Sequence, residues 1–107
     1  MESSNVVTAL AALAQPIRLA IFRLLVVCGP AGMAAGKIAD KLGVSPANMS
    51  HHFKTLTHAG LIGSRQDGRF IYYTANFSVM NGMLAYLTEN CCEGDPHACN
   101  VVATKCP

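Results

Sequence analysis

No apolar run in the 107 residues approaches the roughly 20 needed to span a bilayer; the longest candidate, Leu19 to Cys28, is interrupted by Arg23. The stretch Met1 to Val7 carries no basic segment of the kind that opens a secretory signal, so a cytoplasmic protein with no membrane partner is expected. Charge is scarce as well. A formal net charge of +2 is a weak footprint for a partner rich in phosphate, so such a partner has to be argued from where the charges sit. No Cys-x-x-Cys occurs, and no clustered Cys/His/acid constellation appears outside the carboxyl-terminal tail, which argues against an enzyme and against a catalytic cofactor. No internal repeat or separate linker is visible.

What is present is apolar: 51% of the chain, too much for a disordered protein. The length allows one domain with a modest core, which burial against a second copy would supplement. Val6, Val7, Leu10 and Leu13 recur at helical spacing and predict a first helix ending before Pro16. Ile17, Ala20, Ile21, Leu24, Leu25 and Cys28 form the stripe of a second helix, stopped by Gly29-Pro30. Residues 30–36, rich in small side chains, read as a connection. Lys37 to Leu42 predicts a short helix with Ile38, Ala39 and Leu42 inward, closed by Gly43. Ser45-Pro46 is a helix start, a hydroxyl cap followed by proline at the first helical position, and the helix runs to about Ala59 with Gly60 as its left-handed terminator. Leu61–Arg65 and Arg69–Thr74 have strand composition, and Asp67-Gly68 signals a type I′ hairpin. Asn76 or Ser78 caps a last helix carrying Phe77, Met80, Met83, Leu84 and Leu87.

Helix, tight turn, capped second helix and hairpin make a winged helix-turn-helix, a mainly α fold with one β-hairpin, expected over residues 1–90. On a wheel of the second helix of that unit, Met49, His52, Phe53, Leu56 and Gly60 share the buried side. Ala47, His51, Lys54, Thr55 and His58 lie opposite, with Asn48 and Ser50 at the flanks. The exposed face offers amide, hydroxyl, imidazole and ammonium groups in the half that enters a major groove in this motif. Ser45, Ala47, Asn48, Ser50, His51, Lys54 and Thr55 are therefore candidate DNA contacts, and Arg65 and Arg69 at the hairpin are candidate phosphate or minor-groove clamps. The plainer reading is a solvated amphipathic face with two solvated arginines at a turn. His52, on the core face, is expected to be a hydrogen-bonded structural histidine, and Cys28 a buried small hydrophobe.

The stretch from Lys37 through Gly43-Val44-Ser45-Pro46 to Leu56, followed by His58-Ala59-Gly60-Leu61-Ile62, resembles the ArsR/SmtB family of metal-responsive repressors. Leu13-Ala14-Gln15-Pro16-Ile17-Arg18-Leu19 and the hairpin from Arg65 to Tyr73 fit the same pattern, so the resemblance covers roughly residues 8 to 90. It implies a homodimer built on the first and last helices, which binds an inverted-repeat operator in double-stranded DNA and is released by an inducer.

Four of the five cysteines, Cys91, Cys92, Cys99 and Cys106, fall in the tail 91–107. Thiolates select soft ions, and trivalent arsenic or antimony takes three sulfurs in a pyramid. Adjacent Cys91 and Cys92 supply two, Cys99 the third, and Cys106, beside the terminus, is spare. The same residues with His97 or Cys106 are also a four-ligand zinc set, and the thiols alone are a redox switch. A tail whose cysteines do nothing, or a metalloid carrier or thiol reductase, are the remaining readings. The family resemblance narrows the choice. Gly32 to Gly36 lacks the cysteines that some members carry at that point, and Phe77 to Thr88 lacks the acids and histidines with which others hold zinc. A Cys-Cys pair beyond the last helix is similar to the arsenite-responsive members, which implies arsenite or antimonite as inducer.

Overall fold

The computed structural model describes residues 1–94; Cys99 and Cys106, with His97, lie outside the described residues. Five helices and three strands follow in order: α1 (Ser3–Leu13), α2 (Pro16–Cys28), β1 (Met33–Ala34), α3 (Ala35–Leu42), α4 (Pro46–His58), β2 (Ile62–Asp67), β3 (Phe70–Ala75) and α5 (Phe77–Leu87). A short 3₁₀ turn occupies Gly29–Ala31, and an irregular turn with left-handed residues occupies Cys91–Gly94. No single helix among the described residues is long and apolar enough to cross a membrane.

The helix ends obey local chemistry. The Gln15 side chain accepts the Arg18 N–H ahead of Pro16, and the Ser45 hydroxyl accepts the Asn48 N–H ahead of Pro46; each proline, which has no N–H, takes a first-turn position where an N–H would find no helical acceptor. Gly43 closes α3 in the left-handed conformation at φ 67°. Asn76 does two tasks: its Oδ1 accepts the Val79 N–H to cap α5, and its Nδ2 donates to the Gly60 carbonyl, tying the entry and exit of the hairpin together.

The core is continuous through all the helices. Ile21, Leu25, Ile38, Met49, Leu56 and Leu61 are its largest fully buried side chains, each contributing about 1.5–3 kcal/mol of apolar transfer. From α1 it takes Val6, Ala9 and Ala12, small residues that let α1 lie close, whereas Val7 and Leu10 are exposed. From α2 it takes Phe22 together with Ile21 and Leu25. Cys28 is only half-buried, so the expectation of a buried hydrophobe is corrected to a thiol at the margin of the core.

Three further expectations are corrected by the sheet. Residues 30–36 are more than a connection: β1 pairs with β3 (Met33↔Tyr73, Ala34↔Tyr72), so the hairpin is part of a three-stranded antiparallel sheet in the order β1-β3-β2. Because β1 runs directly into α3, that helix starts at Ala35, two residues before Lys37. At the hairpin tip, Asp67 pairs with Phe70, so the turn residues are Gly68 and Arg69. Only Gly68 has a positive φ, 62°, which matches a glycine-first type II′ turn and excludes type I′, where both central residues are left-handed. Gly32, at φ 72°, lets the chain pass against β3: a Cβ there would strike the Tyr73 carbonyl oxygen and lie 2.7 Å from Thr74 Cγ2.

His52 also departs from expectation. It is 5% exposed, and its Nδ1 has no hydrogen-bond partner. Burial, then the neighbouring His51 and Arg18, hold its pKa below the ordinary value of 6.5, so folding favours the neutral ring.

Two measurements check these assignments. Gly32→Ala should cost about 2 kcal/mol or more, because neither the φ nor the backbone contact relaxes cheaply, read as a melting midpoint lower by roughly 8 °C or more. Gly43→Ala, with open space around it, carries the φ penalty alone, on the order of 1–2 kcal/mol. For His52, the unfolded chain takes up the proton first as pH falls. Its contribution to stability is therefore intact above pH 6.5 and lost as pH drops below that value towards the depressed folded pKa. Urea midpoints measured between pH 8 and 5 should fall on the acid side for the parent chain and flatten in His52→Leu; an unchanged acid limb in that variant assigns the loss elsewhere.

Candidate nucleic-acid interface

Helix α4 is anchored by one face and free on the other. Met49, His52, Phe53 and Leu56 are buried, as the wheel requires. Ser45, Ala47, Asn48, Ser50, His51 and Lys54 are exposed and Thr55 is half-buried, so the predicted contacts of the helix stand together on one accessible surface. The Ser45 oxygen accepts from the Asn48 amide, which leaves its own O–H free to donate outward. The His51 ring lies against that of His52, with centroids 3.9 Å apart, and this contact steers an exposed imidazole by a buried one.

The hairpin is locked to this helix. Phe53 stacks on Tyr73 with ring centroids 4.3 Å apart at 15°, so β3 and α4 are held at a fixed angle. Tyr73, whose phenol is pushed to higher pKa by burial, was not among the candidate residues. Its position opposite Met33 and over Phe53 is a tertiary fact with no local signature beyond an aromatic in a strand.

The two arginines separate. Arg69 sits in the turn itself, exposed, beside Phe70, which is 60% exposed. Arg65 lies within β2 opposite Tyr72, donates from Nη2 to the Ala31 carbonyl at 3.0 Å, and stands 4.9 Å over the Tyr72 ring. It braces the hairpin against the Gly29–Ala31 turn, whereas Arg69 faces outward. Around this surface Lys37, Lys41, Lys54, Arg65 and Arg69 are countered only by Asp40 and Asp67 within residues 36–74, so the weak overall charge conceals a positive local balance.

Beyond α5 the backbone turns sharply. Asn90, Cys92 and Glu93 all adopt positive φ (56°, 55° and 59°), a costly conformation for side chains other than glycine. The turn sets Cys91 Sγ 3.5 Å from Cys92 Sγ. Cys91 is a free thiol, and Cys92 is not. Among the described residues no group of three or more His, Cys, Asp or Glu side chains is placed to hold a metal ion. The third predicted sulfur, Cys99, lies outside the described residues.

Residues 13–65 match the model of a helix-turn-helix domain family. Over 63 residues the chain is 33% identical to the transcriptional repressor SdpR of Bacillus subtilis, covering 59% of this chain and 70% of SdpR. Its structure is similar to that of an ArsR-like transcriptional regulator from Rhodococcus sp. RHA1, with a TM-score of 0.72 at 28% identity over 89% of this chain and 87% of that one. It is also similar to the homodimeric winged helix-turn-helix DNA-binding domain of Mb0332 from Mycobacterium bovis, a possible ArsR-family regulator, with a TM-score of 0.66 at 26% identity over 88% of this chain and 87% of the other.

Proposed function

This chain belongs to the ArsR-like family of winged helix-turn-helix transcriptional regulators, and on that premise we propose that it is a homodimeric repressor released from operator DNA by trivalent arsenic or antimony. The observation that carries the DNA reading is the exposed amino-terminal half of α4. Asn48, Ser50 and His51 present hydrogen-bonding groups there with no carboxylate among them. Two such helices, one per protomer, suit an inverted-repeat operator. A dimer through α1 and α5 is supported by the homodimeric relative and by Val7, Leu10, Leu84 and Leu87, large apolar side chains that a single chain leaves exposed.

The inducer reading rests on the sulfurs. Two thiolates bound to one soft ion at about 2.3 Å each must lie within roughly 4.6 Å of one another; the Cys91–Cys92 separation of 3.5 Å is within that limit, and the site requires Cys92 to be reduced first. Cys99 is the proposed third ligand, and Cys106 and His97 are the further donors a zinc ion would require. The ion binds thiolates, so its affinity rises with pH. The turn follows α5 directly, and an ion that reshapes it acts on the proposed dimer seam; an allosteric coupling of about 1–3 kcal/mol is the usual scale. One observation favours a second reading, a thiol-redox repressor: Cys92 is not free. In either case the sensing groups stand outside the reading module.

In a gel shift, the reduced protein should retard its own promoter fragment at low salt and release it on addition of arsenite. Cys92→Ser should keep the shift and lose the release; release that persists in this variant removes the proposed site, and release on oxidation without arsenite selects the redox reading. The arginines are told apart by salt. Arg69→Gln should lower the slope of log affinity against log salt by about 1, whereas Arg65→Gln should leave the slope and lower the melting midpoint.

A further inference from the structure

A groove of about 690 Å³ lies along α4's carboxyl-terminal half, at the end of its outward face, between that helix, α1 and the start of α2. Its floor is apolar and made of small side chains, Ala11, Ala12 and Ala59, with Val7 at the edge it shares with the proposed dimer seam, while Arg18, Lys54 and His58 stand around it with no acid among the described lining residues. From this arrangement we propose that the groove binds a small amphipathic organic anion, a monocarboxylate of roughly 10–20 non-hydrogen atoms with an aliphatic or aromatic body.

Three features argue for that ligand class. Arg18 is held in place before any ligand arrives: its Nε donates to the Ala12 carbonyl at 2.6 Å and its backbone N–H to Gln15 Oε1 at 2.9 Å, which leaves the terminal guanidinium nitrogens to meet a carboxylate as a fork. The apolar floor asks for more than a bare anion, since a phosphate held by the cations alone leaves Ala11 and Ala59 in water. The hydroxyl of Thr8 is spent on the Ser4 carbonyl, so it offers the groove an acceptor and favours no second anionic group on the ligand. The adjoining cavity of about 530 Å³, lined by Met1, Asn5, Ser78 and Gly82 among others, has His58 as the one titratable side chain among its described lining residues and carries no comparable signal.

Lys54 and Thr55 serve both the groove and the face that reads DNA, so a bound carboxylate and DNA compete for them. That consequence rests on the proposed function; the binding itself does not.

Calorimetry on the full reduced chain, with octanoate and 2-naphthoate as probes and the matching amides as neutral controls, tests the site without DNA. The carboxylates should bind saturably and the amides at least about tenfold more weakly, the scale of a lost charge-assisted pair. Arg18→Gln and, separately, Ala11→Phe, which fills the floor at an exposed position, should each weaken carboxylate binding by about tenfold or more. Circular dichroism confirms that both variants fold. Absence of saturable binding, equal binding of the amides, or unchanged affinity in a folded Ala11→Phe overturns the proposal. A shift of Ala11→Phe from dimer to monomer with no carboxylate binding by the parent assigns the groove to the second copy instead, and overturns it too. A fluorescent promoter duplex then reports the competition separately.

Discussion

The stack of Phe53 on Tyr73 is the contact on which the reading surface depends. Phe53 is the buried side of α4, and Tyr73 is the middle of β3, so one aromatic pair joins the helix that offers hydrogen-bonding groups to the hairpin that offers Arg69. Offset aromatic pairs are worth about 0.5–1.5 kcal/mol beyond their buried area. That is enough to matter in a domain whose whole stability is on the order of 5–15 kcal/mol. Around it Met33 pairs with Tyr73 from the other side, and Arg65 reaches the Ala31 carbonyl, so β3 is held on both edges and at its base.

Much of this was legible in the amino-acid sequence because the signals were local. Ser45-Pro46, Gly43 and Gly60 act within one turn of the chain, and their helix ends fall where the dipeptides place them. The α4 wheel held because a single period of 3.6 governs both its faces. The failures have a common cause in contacts that are distant in sequence. Two residues, Met33 and Ala34, form a strand only because β3 is there to pair with, and no periodicity exists in so short a run. The hairpin turn moved by one residue because strand register, set by Leu61 and Ile62 entering the core, overrode the Asp-Gly signal. His52 was rightly placed inside, but a wheel assigns a face and supplies no acceptor for a ring nitrogen.

The candidate site divides the same way. The α4 contacts share a surface because they share a helix, whereas Arg65 and Arg69, similar in sequence context, differ because only one of them lies beside an open carbonyl. For the thiols, adjacency alone brings Cys91 and Cys92 together, and the left-handed turn at Asn90, Cys92 and Glu93 gives that pair its shape. Arg18 carries no local signal of a site in the sequence, although its anchored guanidinium and the alanines of α1 define the groove beside α4.

The two-residue strand β1 has a mechanical consequence. An isolated hairpin is marginal in water and flexes as a tethered arm; one zipped to Met33 and Ala34, and through them to α3, behaves as an extension of the helical body. A head built this way offers little freedom for the wing to fold away while the helix stays put. On the proposed function, its grip is then altered by carrying the whole head to a new place, and the quantity open to control is the separation and tilt between the two heads of a dimer, more than the shape of either.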